Sequence, residues 1–336
     1  MRWTGARRPG SSERERAARL VARSPSSIGP VPDLKGRHFT KVADWSGEEL
    51  LAVLDLADDL KARQHRREEH HLLPGRALGM IFQKPSTRTR VSFEVGIAQL
   101  GGHGLYLAAS DLQLGRGETL RDTATVLSRY LDGLMIRTFV QEDVEELARH
   151  ASIPVINGLT DSSHPCQALA DVMTVRERFG GLEGVRLAYL GDGNNVCASL
   201  MVAAAKLGMP FVAATPEGYE PDLKAVEIAR EAGGEPEFAH DPQEAAHGAD
   251  VLYTDVWTSM GQEDERDRRL RDLAGFGIDE QLVRLAGEKA TVLHCLPAHY
   301  GEEITEGVLY GPQSAVWDQA ENRLHAQKGL LALVMP

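Results

Sequence analysis

The chain has only three cysteines, and they indicate neither a disulfide framework nor a metal centre. Cys166, Cys197 and Cys295 are odd in number and far apart in the 336-residue sequence. This pattern favours a reducing compartment, so we expect a cytoplasmic protein. No CxxC pair and no histidine and cysteine cluster at metal-ligand spacing occurs in the sequence, so we expect no metal site.

Two further absences exclude classes of partner. Lysine and arginine number 37 against 49 aspartates and glutamates, a formal net charge of −12. An acidic protein is a poor candidate for nucleic-acid binding, because phosphate backbones require a basic surface. No apolar run approaches the roughly 20 residues that a membrane span needs. We therefore expect neither nucleic acid nor a membrane among its partners.

The first 32 residues differ from the rest of the chain and are predicted to be a disordered extension. Serine, glycine and proline separate arginines that outnumber Glu13 and Glu15. An organelle transit peptide is the alternative, but the acidic residues and the Ser-Ile-Gly-Pro-Val-Pro sequence favour a plain extension. The arginines concerned are Arg2, Arg7, Arg8, Arg14, Arg16, Arg19 and Arg23.

From Asp33 onward, short apolar runs alternate with amphipathic helical patterns. This alternation predicts an α/β fold of two doubly wound parallel-sheet domains joined by helices. The C-terminal helical stretch, Ser314–Val334, is expected to cross back onto the first domain. We place the domains at 33–164 and 165–313, with 314–336 as the crossing helix.

The predicted elements fall into two sets. Strands are expected at Ala77–Phe82, Gly104–Leu107, Gly133–Ile136 and Pro154–Ile156, and then at Val185–Leu190, Phe211–Ala214, Glu237–Ala239, Val251–Tyr253 and Thr291–Leu293. Helices are expected at Gly47–Ala62, Val91–Leu100, Leu120–Leu131, Glu142–His150, Pro165–Phe179, Val196–Leu207, Asp222–Ala232 and Gln243–Ala246.

The most informative stretch is Lys84-Pro85-Ser86-Thr87-Arg88-Thr89-Arg90, between a predicted buried strand and a predicted helix. The free backbone N–H groups and the dipole at a helix start favour an anion. Arginine forks match phosphate oxygens two at a time. The stretch therefore predicts a phosphate clamp. It lacks the glycines and lysine spacing of a Walker A motif, so nucleotide binding is not implied.

Other polar residues follow predicted strands of the first domain. Arg137 ends one strand, and His164 and Gln167 stand where a long helix begins. Imidazole offers a donor to a carbonyl oxygen, and a glutamine amide suits an NH2–C=O group. A surface arginine or a helix-capping histidine would be the structural alternatives.

In the second domain, Gly191–Asn195 resembles part of a dinucleotide-binding loop, but the third glycine is missing. A polar loop that presents Asn195 to a cleft is favoured over a nicotinamide site. Asp255 ends a predicted strand and can pair with an amine. Cys295 also ends a strand and is of interest only near Asp255, since a reactive thiolate needs a positive neighbour. Arg323 would face the cleft if the final helix packs across the domain boundary.

Seven of these stretches, in the same order, resemble the aspartate/ornithine carbamoyltransferase family from about Asp33 to the C-terminus. They are Ser86–Arg90, Gln113 in Asp111–Gly115, Arg137, His164–Gln167, Asp255 with Ser259–Gly261, His294–Pro297 and Glu321–Arg323. The resemblance implies transfer of a carbamoyl group from carbamoyl phosphate to the δ-amine of L-ornithine, giving L-citrulline and phosphate without a metal or an organic cofactor.

The resemblance also assigns roles to residues. Arg90 would only support the clamp, and Gln113 would reach a neighbouring subunit, so a homo-oligomer, a trimer or a multiple of trimers, is implied. Arg137, His164, Cys295 and Arg323 would be catalytic. Ornithine would be held by Asn195, Asp255, Ser259 and Met260. Carbamoyl phosphate would be held by Ser86, Thr87, Arg88, Thr89, Gln113, Arg137, His164, Gln167, Cys295, Leu296 and Arg323.

Alternatives to this function remain. The loop around Ser259 carries no cationic residue, which fits a substrate with one carboxylate and a distal amine better than a dicarboxylate. A sister enzyme that uses putrescine, lysine or an acetylated amine stays open. A non-catalytic subunit of this family and an oxidoreductase built on Gly191–Asn195 are disfavoured. The sequence does not indicate the direction of the reaction in the cell.

Overall fold

A computed structural model describes residues 32–259 and 261–336, without the side chains at 115, 116 and 263. Of the predicted N-terminal extension, residues 1–31 lie outside this description, as does the predicted ornithine-binding residue Met260. Among the described residues, no helix combines the length and apolar character required to cross a bilayer.

The first sheet has four parallel strands in the order β2-β1-β3-β4. Its strands are β1 (Ala77–Phe82), β2 (His103–Ala108), β3 (Gly133–Arg137) and β4 (Val155–Leu159). The helices of this part are α1 (Gly47–His65), α2 (Thr87–Gln99), α3 (Leu120–Leu127) and α4 (Gln141–His150). The chain leaves β1 on one side for β2 and returns on the other side for β3, so the strand order reverses between β1 and β3.

Helix α5 (Pro165–Phe179) leads to a second sheet of five parallel strands in the order β7-β6-β5-β8-β9. Its strands are β5 (Leu187–Leu190), β6 (Phe211–Ala214), β7 (Glu237–Ala239), β8 (Val251–Thr254) and β9 (Thr291–His294). The helices are α6 (Asn195–Lys206), α7 (Leu223–Glu231), α8 (Pro242–Ala246), α9 (Arg266–Asp272), α10 (Glu280–Ala286) and α11 (Glu306–Leu309). Here the order reverses between β5 and β8.

The predicted α/β architecture is confirmed, and the differences lie at element ends and in three short helices. Helix α2 begins at Thr87, four residues before the predicted start at Val91. The reason is a helix cap: the Ser86 side chain accepts a hydrogen bond from the Thr89 backbone N–H at 3.2 Å. The predicted clamp is therefore the first turn of the helix. The short helices α9, α10 and α11 were not predicted, because their apolar pattern is too brief to register.

The last helix, α12 (Val316–Val334), crosses back onto the first domain as predicted and packs against α1, α2 and α5. Lys328 is fully buried in this contact, and its Nζ donates to Gln64 Oε1 at 2.7 Å and to Gln99 Oε1 at 2.9 Å. Burial lowers the pKa of Lys328 to about 8. These bonds join α12 to the ends of α1 and α2, and so they fix the helix that carries Arg323.

The two sheets share an apolar core. One buried cluster includes Met80 of β1, Tyr253 of β8 and Leu330 of α12, together with most of the apolar side chains of α5. Burial of this kind stabilises by roughly 25 cal/mol per Å² of apolar surface. The relative placement of the two sheets, and of the strand ends that face each other, therefore depends on α5 and α12.

Gly329 allows the close approach of α12 to α1, and its replacement tests that contact. A Cβ added there would lie 2.6 Å from the Val53 carbonyl oxygen and 3.1 Å from the Ala57 nitrogen. We expect Gly329→Ala to lower the free energy of unfolding by about 1–2 kcal/mol, since overpacking outweighs the ~1 kcal/mol gain in helix propensity. Denaturant unfolding followed by circular dichroism measures the change.

Gly181→Ala is the matched control, because a Cβ there meets no atom within 4 Å. Its effect should stay within about 0.5 kcal/mol. Equal unfolding free energies for Gly329→Ala and the unmodified chain would contradict the packing argument.

Candidate active site

The carboxyl ends of the central strands of both sheets meet in one cleft. In the first sheet, Phe82 at the end of β1 is in register with Arg137 at the end of β3. In the second, Leu190 of β5 is in register with Thr254 of β8. Ligands of doubly wound sheets bind where the strand order reverses. Both reversal points lie at these ends, and the Arg88 Nη2 group joins them by donating to the Leu296 carbonyl oxygen at 2.9 Å.

Three guanidinium groups converge on this cleft from separate elements: Arg88 from the first turn of α2, Arg137 from the end of β3 and Arg323 from α12. Thr89 Oγ1 accepts from Arg137 Nη1 at 3.5 Å and from Arg323 Nη2 at 3.2 Å. Arg323 Nη1 also donates to Gln167 Oε1 at 2.7 Å. Since Thr89 Oγ1 accepts twice, its own proton remains available to a ligand.

None of these three arginines has a carboxylate within 4.0 Å among the described residues. The nearby Lys84 and Arg90, by contrast, are each paired with a carboxylate. Burial, followed by the charges of Arg323 and Arg88, lowers the pKa of Arg137 to about 10. Burial, together with the charge of Arg323, also lowers the pKa of Arg88. The cluster therefore holds like charges together without compensation, and an anion would relieve their repulsion.

The remaining residues of the predicted clamp differ in whether they are free to meet an anion. Helix α2 has no acidic residue in its first turn, where Thr87 lies, so its dipole is not offset locally. By contrast, Lys84 is buried against an ion pair with Asp161 and against the Phe139 ring, with its Nζ 4.0 Å from the ring centroid. Arg90 is paired with Glu94 at 3.1 Å and stacks on Tyr106. The clamp therefore consists of Ser86, Thr87, Arg88 and Thr89.

His164 lies at the N-terminal cap position of α5 and is buried. Burial, followed by the charges of Arg323, Arg137 and Arg88, lowers its pKa well below the ordinary value. The imidazole is therefore neutral near pH 7. Its Nδ1 has no hydrogen-bond partner within the described part of the chain. A neutral ring next to an anion site can donate one hydrogen bond to a carbonyl oxygen, but it is not a cationic acid.

Gln167 already has protein partners for both amide atoms. Its Oε1 accepts from Arg323, and its Nε2 donates to Asp171 Oδ1 at 2.8 Å. Asp171 is fully buried, and burial raises its pKa to about 7. It also accepts from Gln319 Nε2 at 2.6 Å and from the Tyr253 hydroxyl at 3.1 Å. Sequence reasoning missed Asp171, although an aspartate one helical turn after Gln167 in an apolar helix was a usable signal.

On the second domain, Asp255 follows β8 and is buried, and burial raises its pKa. Its Oδ2 accepts from Asn194 Nδ2 at 3.0 Å. Asn194, which caps α6, was not predicted. The predicted Asn195 instead donates from Nδ2 to the Thr160 carbonyl oxygen at 2.5 Å, in the first domain. The structure thus brings Asp255 together with Asn194, while the Asn195 amide joins the two domains.

Cys295 is half-buried at the end of β9. Burial, and then the charges of Asp255 and Asp171, raise its pKa well above the ordinary value despite Arg323 and Arg88. The group is therefore a neutral thiol and not the thiolate that a nucleophilic role needs. It can line the cleft and contact a ligand as a small, weakly polar side chain.

Leu296 is held in a left-handed conformation, φ 61°, by its neighbours. The backbone N–H of Leu296 donates to His294 Nδ1 at 2.8 Å, so the ring proton lies on Nε2 and is directed to Glu303 Oε1 at 3.0 Å. Glu303 is fully buried and also accepts from the His299 backbone N–H at 2.6 Å. This chain of bonds fixes the carbonyl that Arg88 contacts. Glu303 was another residue that sequence reasoning missed.

Two predicted site residues lie apart from this cluster. Gln113 is exposed in a short 3-10 turn (Gln113–Arg116) and has no hydrogen bond to the other site residues in the described part of the chain. Ser259 lies in the loop after β8, where its backbone N–H donates to Gln262 Oε1 at 3.0 Å. Met260 is outside the described residues.

Comparison with known proteins gives a consistent family relationship. The family model for the carbamoyl-P binding domain of aspartate/ornithine carbamoyltransferase matches residues 37–177. The model for the Asp/Orn binding domain matches residues 183–334. Ornithine carbamoyltransferase of Pyrococcus horikoshii is 56% identical over 309 residues, which are 91% of this chain and 98% of the relative. The anabolic ornithine carbamoyltransferase of Pyrococcus furiosus is also 56% identical, with the same coverage.

Solved structures agree. The ornithine carbamoyltransferase structure from Pyrococcus furiosus superposes with a TM-score of 0.88 at 56% identity and covers 91% of this chain and 99% of that one. The structure from Thermus thermophilus gives a TM-score of 0.82 at 45% identity and covers 91% and 100%.

The anion site can be tested with inorganic phosphate as the probe. We expect Arg88→Ala to weaken phosphate binding roughly 10–150-fold, the equivalent of about 1.5–3 kcal/mol for one hydrogen bond to a charged group. Isothermal titration calorimetry measures the affinity. Arg90→Ala is the matched control, since Arg90 is two residues away but paired with Glu94. Equal affinity losses in the two variants would overturn the division of the clamp.

Proposed function

The chain belongs to the aspartate/ornithine carbamoyltransferase family, and on this premise we propose that it transfers the carbamoyl group of carbamoyl phosphate to the δ-amine of L-ornithine. The products are L-citrulline and phosphate. The observation that carries the proposal is the cluster of the exposed Arg88 with the buried Arg137 and Arg323, which has no carboxylate within 4.0 Å among the described residues and faces Asp255 across the cleft. A phosphorylated substrate supplies the missing negative charge.

The first domain binds carbamoyl phosphate. Ser86, Thr87, Arg88 and Thr89 hold the phosphate, and Arg137 reaches both the phosphate and the carbamoyl oxygen. The Arg137 Nε atom is buried and has no protein partner among the described residues, so it remains a donor for this oxygen. Gln167 acts chiefly by holding Arg323, with one amide hydrogen left for the substrate.

The second domain binds ornithine through Asn195, Asp255, Ser259 and Met260. Asp255 pairs with the α-ammonium group of ornithine. The Asn194 amide holds the side-chain carboxylate of Asp255 in place. Cys295 and Leu296 line the space between the two substrates. We propose domain boundaries at residues 33–164 and 165–313, with 314–336 as the C-terminal helix.

The reaction uses groups whose protonation states fit it. The δ-amine must lose its proton before attack, and a free alkylamine has a pKa near ~10.4. A dry cleft beside three guanidinium groups favours the neutral amine. Attack on the carbamoyl carbon moves negative charge to its oxygen, to which Arg137, the neutral His164 and the Thr89 hydroxyl donate. One such donor is typically worth about 2.7–4 kcal/mol of barrier.

The C–O bond to phosphate then breaks, and the departing phosphate takes the amine proton, so no separate general base is required. Alignment of two substrates by two rigid sheets supplies much of the acceleration, up to roughly 7–11 kcal/mol. Closure of the domains and of the loop that contains Ser259 would exclude water and protect carbamoyl phosphate from hydrolysis.

The protein is proposed to act as a homotrimer or a multiple of trimers in the cytoplasm. Gln113 is exposed and lies away from the cleft of its own chain. This position suits a residue that reaches the site of a neighbouring subunit. Edge strand β2 and helix α2 expose Leu105, Tyr106, Val91 and Val95, an apolar surface that suits a subunit contact.

The three free cysteines suit a reducing compartment. The reaction is proposed to run toward citrulline, as the relative described as anabolic does.

The proposed reaction is tested by a citrulline assay with carbamoyl phosphate and a panel of amines. We expect ureido product from L-ornithine, and at least about 10-fold lower kcat/KM with putrescine, lysine or acetylated ornithine, since each lacks or misplaces a group that Asp255 and its loop must pair with. Absence of citrulline from the assembled enzyme would refute the proposal, and preference for another amine would support the sister-enzyme alternative.

The role of Asp255 gives a second test. Asp255→Asn keeps the hydrogen bond from Asn194 but removes the negative charge. We expect KM for ornithine to rise roughly 10–150-fold, the equivalent of about 1.5–3 kcal/mol for a charged hydrogen bond, with carbamoyl phosphate affinity unchanged. Asp250→Asn, at the opposite end of β8, is the control and should leave both constants unchanged. Loss of affinity for both substrates in Asp255→Asn would contradict the division between domains.

A further inference from the structure

Two helices bring three metal-ligating side chains together outside the cleft. His65 is the last residue of α1, and Glu321 and His325 lie one turn apart on α12. The ligand atoms lie within 4.8 Å of one another. His65 Nε2 is 2.9 Å and His325 Nε2 is 3.3 Å from the same carboxylate oxygen, Glu321 Oε1. Nothing in the transfer reaction uses these residues.

From this geometry, we propose that His65, Glu321 and His325 form a binding site for one divalent transition-metal ion of the zinc or cobalt type. Two imidazole nitrogens and one carboxylate oxygen are a donor set that suits zinc, cobalt, nickel and copper, whereas calcium and magnesium prefer oxygen alone. Water would complete the coordination on the open side, where His65 and Glu321 are exposed.

The site is held in place before any ion binds. Helices α1 and α12 are each 19 residues long and pack against each other. His325 is buried, so its ring has little freedom to turn away. The two rings meet edge to face, with their centroids 6.2 Å apart. An ion could therefore bind after small side-chain shifts, without reorganisation of the backbone.

The hydrogen-bond pattern leaves His325 able to turn its Nε2 lone pair toward an ion. His325 Nδ1 has no hydrogen-bond partner within the described residues, so it can take the ring proton when Nε2 donates its lone pair to a metal.

Two nearby charges oppose binding. Lys61 acts on both Glu321 and His325, although its Nζ is engaged by Glu177 at 2.8 Å and by Asn322 Oδ1 at 2.7 Å. The Lys328 charge also faces His325. These cations would lower the affinity for an ion without blocking the site. The amino group of Lys61 bonds Glu177 and Asn322, and that of Lys328 bonds Gln64 and Gln99, so each is directed to other partners.

The test uses the assembled enzyme, freed of metal with a chelator and titrated with Co²⁺ and then Zn²⁺. Calorimetry gives the stoichiometry, and the visible absorption of Co²⁺ reports its ligands. We expect one ion per chain, Co²⁺ bands without a thiolate charge-transfer band, and displacement by Zn²⁺. Zn²⁺ should also raise the midpoint of thermal unfolding, because it binds the folded state and links α1 to α12.

His65→Gln is the decisive variant, because His65 is exposed and outside the catalytic cleft. Since changes in the outer shell alone weaken metal binding about 10–100-fold, loss of a ligating imidazole should cost at least as much. His71→Gln, another exposed histidine, is the matched control and should bind normally. Citrulline formation without metal should be unchanged in both variants.

Two results would overturn the proposal. One is binding that survives His65→Gln but is lost in Cys295→Ser, since the ion would then belong to the thiol of the cleft. The other is the absence of any saturable binding to the unmodified enzyme. Neither result would affect the citrulline assay with metal-free enzyme, so failure of the metal site and failure of the proposed function are distinguishable.

Discussion

The structure depends on one electrostatic constraint, the convergence of Arg88, Arg137 and Arg323 on the cleft between the two sheets without a carboxylate within 4.0 Å in the described part of the chain. Desolvation first, and then repulsion between the like charges, lowers the pKa values of Arg88 and Arg137. The repulsion is tolerated because separate rigid elements hold each arginine. Thr89 accepts hydrogen bonds from Arg137 and Arg323. Arg323 is also held by Gln167, and Arg88 is held by the Leu296 carbonyl oxygen.

The architecture supplies these elements. Both sheets reverse their strand order at the centre, and both reversal points direct their strand ends into the same cleft. Helix α12 completes the site from outside the sheets, because it returns from the second domain and is anchored by Lys328 against α1 and α2. Loss of that docking would withdraw Arg323 and leave the Gln167 Oε1 atom without its donor. The C-terminal helix is therefore part of the active site as well as of the core.

Much of this could be predicted from the sequence. The alternation of apolar runs gave the parallel α/β fold, and Ser86–Thr89, Arg137 and Asp255 were found because polar residues after buried strands are unusual. Residues that act through others were missed. Asp171, Asn194 and Glu303 contact site residues only after folding; a local signal existed for Asp171, an aspartate within an apolar helix, but not for Asn194 and Glu303. The structure places most of the predicted residues around the cleft, but the role of each of them stays a prediction. Gln113 depends in addition on a neighbouring subunit, and Met260 lies outside the described residues.

The site keeps its positive charge because the groups around it stay neutral. Cys295 is a thiol and His164 an uncharged imidazole, for opposite electrostatic reasons: burial disfavours the anion of one and the cation of the other. Asp171, the buried carboxyl behind Gln167, has a pKa of about 7, so near neutrality it offsets the arginines only in part.

The same carboxyl makes stability depend on pH. Between its unfolded pKa near 3.8 and about 7, the folded chain binds more protons at Asp171 than the unfolded chain does, and this contribution to stability falls as pH rises. A bound phosphate group would offset most of the charge of the three guanidinium groups, and this would raise the pKa of both His164 and Asp171. Substrate binding and proton uptake in this cleft are therefore coupled through the same three guanidinium groups.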